Sequence, residues 1–542
     1  MIDLQTAPPH TPGSGRPDHR TLRTWAVRVA LAVGGFAALV ALLDAASLHA
    51  VVGNADGATV VLEGQAMSTG NALLHHWSLS LDSFWTIDAL FYAAAVPLTG
   101  VTPALLFLVP AVIGAAVVTS AALTARVGHG GAAAVAAVVT VVALLALPSH
   151  VLADYFLQGP LHVGTALWCL LAFAALRRGR FGWGWAAAVV LFAAGVLGDF
   201  QTAVMGMLPA FGAGVVAGLR TRHWRGAVPT AAAPVAAGAL ALVVHAVAGA
   251  VGSFGVTSSH PTATGLRLLS NVGLVATWGA HMLGVGGGRL GYGGVPTPLE
   301  LVHVVGVAVV VGGVAVAAVR LVAGVLPGHR APTGPSEGWR LEDLLLLGVV
   351  GDLALFLTLT YSGDQDLSRD LTGAVIFGSV LGARLVARVV ASATARERWR
   401  YGLLGAVVVA SLAAGVGFTL ATPQPHRPVT QLVHFLEAHH LDRGVGDYWS
   451  ASLTTVSSDD AVTIRPVIAD GTGHIGRYDR QSELTWYRHG SFEFLVYDTA
   501  LAWGGITPAS ARHSFGPVAR TYRVGTYRVL VWSHRLVVRG TG

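Results

Sequence analysis

Lysine is absent. All 34 basic residues are arginines, and together with 68 glycines and abundant alanine and valine this is the imprint of a GC-rich coding bias, with no bearing on chemistry. The single cysteine, Cys169, excludes an intramolecular disulfide and a cysteine-based metal centre. Charge is scarce as well: 11% of the 542 residues are charged, where soluble domains carry about a quarter, and 53% are hydrophobic, which excludes a soluble enzyme. The net charge of +6 is small for this length and sits in short connecting stretches, so it is a topology signal and not a nucleic-acid surface. No Walker loop, GxSxG elbow, HExxH or CxxC motif occurs, which removes ATP-driven transport by this chain alone and the common hydrolase signatures.

What is present is a series of apolar runs. Eleven segments, at 25–43, 101–123, 131–148, 160–176, 183–198, 202–219, 227–251, 299–324, 342–361, 372–391 and 402–421, read as membrane spans of an all-α polytopic domain. Arginine placement orients them. With the N-terminus cytoplasmic, the inner segments hold 15 arginines and the outer loops three, Arg267, Arg289 and Arg369. Residues 1–24, rich in Pro, Gly and Thr, read as a disordered cytoplasmic tail, and the first span, which begins late and is long, reads as an uncleaved anchor. The membrane domain runs over 25–421. Its first outer loop, 44–100, has no arginine but two helical stretches, 56–68 and 83–98, which read as helices lying at the outer interface. The glycine-rich stretch 284–294 reads as a flexible or re-entrant outer loop. From 422 the pattern changes. Prolines end the last span, a helical stretch follows, and strand-like runs near 462–469, 493–498 and 520–533, with a helix near 507–514, predict a small extracytoplasmic α/β domain over 422–542.

Few outer residues can carry chemistry. Asp56, in Asn54-Ala55-Asp56-Gly57, is either a helix-terminal acid or a general base at the membrane surface. Asp88, among Phe84, Trp85 and Tyr92, is either a surface acid or a second carboxylate converging on Asp56. His75 and His76 are interfacial polar residues or hydrogen-bonding partners of a sugar or phosphate. Asp154 and Asp199 fall at outer span ends, and the tight turn Gly198-Asp199-Phe200-Gln201 holds Asp199 at the membrane lip. Asp352 lies midway along a span, where an ionisable group is a functional candidate unless a neighbouring Ser, Thr, His245 or His303 bonds it. Arg369, in Asp366-Leu367-Ser368-Arg369-Asp370-Leu371, either grips a lipid-linked phosphate or pairs locally with Asp366 or Asp370.

This order of parts resembles the GT-C superfamily of integral-membrane glycosyltransferases, such as protein O-mannosyltransferases, aminoarabinose transferases and related bacterial enzymes of cell-envelope assembly. Asn54-Ala55-Asp56, with the later Gly70-Asn71, stands where the acidic catalytic motif of that family is expected. Ser368-Arg369-Asp370-Leu371 stands where an Arg-Tyr-Leu-like motif precedes a late span. Three positions differ from the family pattern: Gly57 in place of a second acid, Asp370 in place of the aromatic residue, and Gly373 where proline is common. The resemblance implies a multi-pass protein of the bacterial plasma membrane that takes a sugar from a polyprenyl-phosphate donor to a cell-envelope glycan or protein. Asp56 would act as general base with inversion, and Arg369, with His75 or His76, would steady the phosphate, while Asp88 and Asp199 complete the substrate site. It implies no certain cofactor and leaves a divalent metal open. The residues themselves also admit two other readings: a transporter or lipid-linked glycan flippase, with Asp352 and His245 on a path through the membrane, or a non-catalytic scaffold of the same fold.

Overall fold

The computed structural model describes residues 19–256, 263–285, 297–326, 336–359, 365–488 and 491–538. Helices dominate. In chain order they are α1 (His19–Ala50), α2 (Ala55–Ser68), α3 (Asp88–Thr99), α4 (Leu105–Ala125), α5 (Gly131–Leu145), α6 (His150–Phe156), α7 (Val163–Leu176), α8 (Trp183–Gly198) and α9 (Leu208–Thr221). There follow α10 (Val228–Ala250), α11 (Leu266–Met282), α12 (Thr297–Val325), α13 (Ser336–Thr358), α14 (Thr372–Ser392), α15 (Ala395–Ala421), α16 (Pro428–Ala438), α17 (Tyr448–Ser457) and α18 (Pro508–Phe515). Among the described residues seven helices are long and apolar enough to cross a bilayer, and the shorter apolar helices α5, α7 and α8 coincide with three further expected spans. Helix α13 covers the ninth expected span but carries Glu337, Arg340, Glu342 and Asp343 in its first turns. This is a multi-pass membrane protein.

Two sequence readings are corrected here. The stretch 252–298, read as a loop, contains α11. Its Arg267, Ser270, Asn271 and His281 break up the apolar run that marks a span. Of the glycine-rich stretch 284–294, residues 286–294 lie outside the described residues. The helix over 56–68 exists, but it does not lie open at an interface: Ala55 and Gly57–Gly64 are buried. Gly64 is the close-approach point, since a Cβ there would stand 2.7 Å from the backbone of Tyr92 on α3.

Helix α14 forms the centre of the bundle, buried from Thr372 to Arg384 and packed against α4, α5, α12 and α13. At the end of the bundle reached by the C-terminus of α14, five helices are joined by charge. Glu342 on α13 pairs with Arg320 of α12 at 3.0 Å and with Arg384 (3.0 Å) and Arg388 of α14. Asp343 pairs with Arg220 of α9 at 2.7 Å, and Arg384 also donates to the carbonyls of Ala125 (3.2 Å) and Val127 (2.8 Å) at the end of α4. A buried cation is tolerated only while its partner stays, so Glu342→Gln is expected to cost about 3–5 kcal/mol. Thermal denaturation in detergent checks this, and an unchanged midpoint would show that the cluster carries no stability.

Beyond α15 the chain builds a six-stranded mixed sheet from β3 (Arg443–Gly446), β4 (Thr463–Ala469), β5 (Ile475–Arg477), β7 (Phe492–Asp498), β8 (Arg520–Val524) and β9 (Tyr527–Leu536), in the order β5-β4-β3-β7-β9-β8. Strand β3 runs parallel to β4 and β7, and the remaining pairs are antiparallel. One face buries Val445, Val467, Leu495 and Leu530; the other buries Ile464, Val496 and Val529 with Leu432 and Leu436 of α16. The expected strands are β4, β7 and the hairpin β8–β9, the expected helices α16 and α18, while β3 and α17 had no clear periodic signal.

A second, small sheet ties this part to the first loop. Strand β1 (Trp77–Leu79) pairs in parallel with β2 (Gly255–Val256) and antiparallel with β6 (Ser482–Glu483). Trp77 packs edge-on against Trp486 at 5.2 Å, and Ser78 donates to the carbonyl of Asp479. Thr59 of α2 donates to Ser452 of α17 at 3.0 Å, so helix α17 sits directly on the helix that carries Asp56.

Candidate functional site

Asn54, not Asp56, caps α2: its side chain accepts from the Gly57 N–H at 2.8 Å. Asp56 is thus released for other contacts. Its Oδ1 accepts from the hydroxyl of Tyr448, the first residue of α17, which also meets the side-chain amide of Gln481. Burial raises the Asp56 carboxyl above its usual range, against the Tyr448 hydrogen bond and the charge of Arg369, both of which pull it down. The charge of Arg369, far along the chain, is therefore felt at the Asp56 carboxyl. Its Nε is buried without a hydrogen-bond partner. Glu63, one face of α2 further along, is buried, and burial with the Asp56 charge holds its carboxyl well above normal.

Because the Tyr448 hydrogen bond stabilises the ionised form of Asp56, Tyr448→Phe is expected to raise the Asp56 pKa further. Any activity that needs the Asp56 carboxylate then loses its acid limb at a higher pH than in the wild type. A kcat/KM profile against pH is the check, and an acid limb that stays in place would exclude Asp56 as the titrating base.

Beside Arg369 lies a buried polar network. Arg369 belongs to the 3-10 segment Gln365–Leu371, and Thr372 donates to its carbonyl at 2.6 Å. His162, just ahead of α7, has a left-handed backbone (φ +65°) that turns its ring inward. Its Nδ1 stands 2.7 Å from Asp199 Oδ2 and its Nε2 3.3 Å from Asp370 Oδ1. Asp199 further accepts from Thr165 and from the Gln201 N–H at 2.9 Å. Gln201 Nε2 reaches Asp352 Oδ1 at 2.6 Å, and Asp352 Oδ2 accepts from the Ala374 N–H at 2.6 Å.

Half-buried Asp82 lies close enough to Asp199 for each carboxylate to disfavour the charge of the other. Burial and the Asp199 charge push Asp82 up to about 7. Burial also raises Asp199, but His162, Thr165 and the Gln201 amide outweigh it and keep Asp199 below its ordinary value.

The candidates named from sequence fall into three groups. The Arg369 charge acts on Asp56, and Asp199 belongs to the network beside Arg369. Asp88 is fully buried, which excludes the surface-acid reading; both carboxylate oxygens lack a partner, and burial with the Asp199 charge raises it to about 8, so it is a neutral acid near pH 7. Its charge neighbours are Asp199 and His162 rather than Asp56. His75 is engaged elsewhere, its Nδ1 meeting the Gly252 carbonyl at 2.7 Å, and the backbone carbonyl of His76 accepts from the Leu484 N–H. The envisaged Asp352–His245 path is not formed, because Asp352 bonds Gln201 and Ala374 while His245 is exposed on α10. Sequence reading missed Tyr448, Gln481, His162, Asp82 and Gln201. Only His162 gave a signal, a lone imidazole at the mouth of an apolar run. Among the described residues no group of three His, Cys, Asp or Glu could hold a metal ion.

A bundle of apolar helices with a polar site under a mixed α/β cap defines a class of membrane protein, and comparison with solved structures gives that class its fold name. No protein-family model and no curated protein matches the chain. Among solved structures, ArnT from Cupriavidus metallidurans bound to undecaprenyl phosphate is similar over 93% of this chain and 97% of its own, with a TM-score of 0.52 and 13% identity. The archaeal oligosaccharyltransferase AglB from Archaeoglobus fulgidus, in complex with an inhibitory peptide and a dolichol-phosphate, aligns over 93% of this chain and 75% of its own at a TM-score of 0.45 and 12% identity. The chain shares its fold with ArnT.

Proposed function

We propose that this chain is a membrane glycosyltransferase that moves a sugar from a polyprenyl-phosphate donor to a hydroxyl of a cell-envelope acceptor outside the cytoplasm, with inversion. The observation that supports the reading is that the charge of Arg369 acts on the Asp56 carboxyl, more than three hundred positions away in the chain, while Tyr448 bonds that carboxyl. In this reading the acceptor oxygen attacks the anomeric carbon while its proton passes to the Asp56 carboxylate. The bond from that carbon to the donor phosphate breaks, its electron pair stays on the phosphate oxygen, and Arg369 stabilises the charge that develops there. A carboxyl raised by burial is the better base, because its proton affinity is closer to that of the attacking hydroxyl.

The lipid-linked donor is supported by two further features. ArnT, whose fold this chain shares, was crystallised with undecaprenyl phosphate. An apolar groove of about 240 Å³ runs between α5, α12, α14 and α15, lined by Leu144, Val309, Val386, Leu404, Val408 and Leu412, and suits an isoprenoid chain. The Arg-rich segments would face the cytoplasm and the α/β part the outside, in a bacterial plasma membrane. Incubating the protein in nanodiscs with a labelled sugar on undecaprenyl phosphate and cell-envelope glycan tests the reading. Labelled glycan of inverted configuration supports it; transport of the lipid-linked sugar across the bilayer without transfer overturns it.

A further inference from the structure

Arg369 has a carboxylate as its immediate neighbour, yet the two are not paired. Asp370 is turned to His162 instead, with Oδ1 at 3.3 Å from Nε2, while the other ring nitrogen is 2.7 Å from Asp199. Among the described residues no hydrogen bond or ion pair engages the Arg369 guanidinium, and its Nε is buried without a partner. Consecutive side chains of a helical segment point apart, so the Asp370 carboxylate reaches the guanidinium only by leaving its present anchor, and once there it would compete with an anion for the same donors.

We propose that His162 is a positioning residue that keeps Arg369 available for the donor phosphate by holding Asp370 away from it. This rests on the proposed function insofar as Arg369 is taken to meet a phosphate. The geometry suits the task. A ring facing a carboxylate oxygen at each nitrogen donates to both only as the imidazolium, and this cation balances the charge of the two aspartates it holds. Its other anchor is rigid, because Asp199 is fixed by Thr165 and by the Gln201 N–H, and Gln201 is fixed in turn by Asp352. The Asp370 carbonyl lies 3.4 Å from Gln201 Nε2, so the backbone beside Arg369 is pinned by the same network. His162 touches no reacting group. It acts through Asp370 on Arg369.

The test measures undecaprenyl phosphate binding to the intact protein in nanodiscs. His162→Gln frees Asp370 to pair with Arg369, and is expected to weaken binding by about tenfold or more, the scale of one charged hydrogen bond. The effect should fall on the KM for the lipid-linked donor far more than on kcat. Adding Asp370→Asn removes the competing carboxylate and should restore binding to near the wild-type value. A merely structural histidine gives no such rescue, so a double variant that binds no better than His162→Gln overturns the proposal. If His162→Gln does not fold, Asp370→Asn alone decides: binding equal to or tighter than wild type supports the proposal, and weaker binding overturns it. Arg369→Ala is the control that separates the two ideas. If it binds like the wild type, the phosphate reading of Arg369 fails, whatever the histidine does.

Discussion

Replacing Asp56 by Asn is expected to lower kcat for sugar transfer by about 10²–10⁴-fold, the range that a positioned general base contributes. The substitution is close to isosteric. The Asn carbonyl still accepts from Tyr448, and Asn54, which caps α2, is untouched. Donor binding should change little, because the phosphate is assigned to Arg369. A labelled-donor assay run beside an undecaprenyl phosphate titration separates the two effects. Transfer within a few-fold of wild type would remove Asp56 from the chemistry and leave its short contact with Tyr448 as an interface feature only.

Arg369→Ala should raise the donor KM by about 10–100-fold, since hydrogen bonds to a charged group contribute about 1.5–3 kcal/mol, and it should also lower kcat, because the departing phosphate loses its countercharge. A second consequence follows from the electrostatics. The guanidinium holds the Asp56 carboxyl down against the effect of burial. Without it the Asp56 pKa rises, more of the base is protonated at a given pH, and the acid limb of kcat/KM moves to higher pH. Arg369→Lys keeps the charge but not the planar two-point geometry. It is therefore expected to return the acid limb toward its wild-type position while leaving the donor KM raised. If Lys restores both or neither, the phosphate-binding and charge-setting roles of Arg369 are not separable in this way.

Parts of this site can be read from the chain. Asp56 stands out because acids are rare in the apolar half of the sequence and this one opens a helical stretch, found at Ala55–Ser68. Arg369 stands out as one of three arginines on the poorly charged side. Tyr448 does not stand out, since nothing local distinguishes it from other aromatics of the α/β part. It reaches Asp56 because β1 pairs with β6 and α17 seats on α2. Strands of two or three residues have too little periodicity to be seen, and their pairing joins positions about four hundred apart. The reading of Asp88 went astray for a related reason: aromatic neighbours suggest an interface, but burial behind the first turn of α7 depends on Gly164, where a Cβ would meet Asp88 Oδ2 at 2.7 Å.

The amino-acid sequence by itself determined that this is a multi-pass helical protein, which segments are apolar enough to cross a bilayer, and that a separate mixed α/β part follows them. Those properties are local. Crossing hydrocarbon needs only a sufficient run of apolar residues whose backbone bonds close within the helix, and a strand or amphipathic helix announces its own period. Tertiary structure decided that Tyr448 meets Asp56, that Asp199 is held by His162 and Thr165, and that a histidine occupies the aspartate next to Arg369. Charges take their meaning from distance and burial, and both are set by packing between helices that the chain order does not relate.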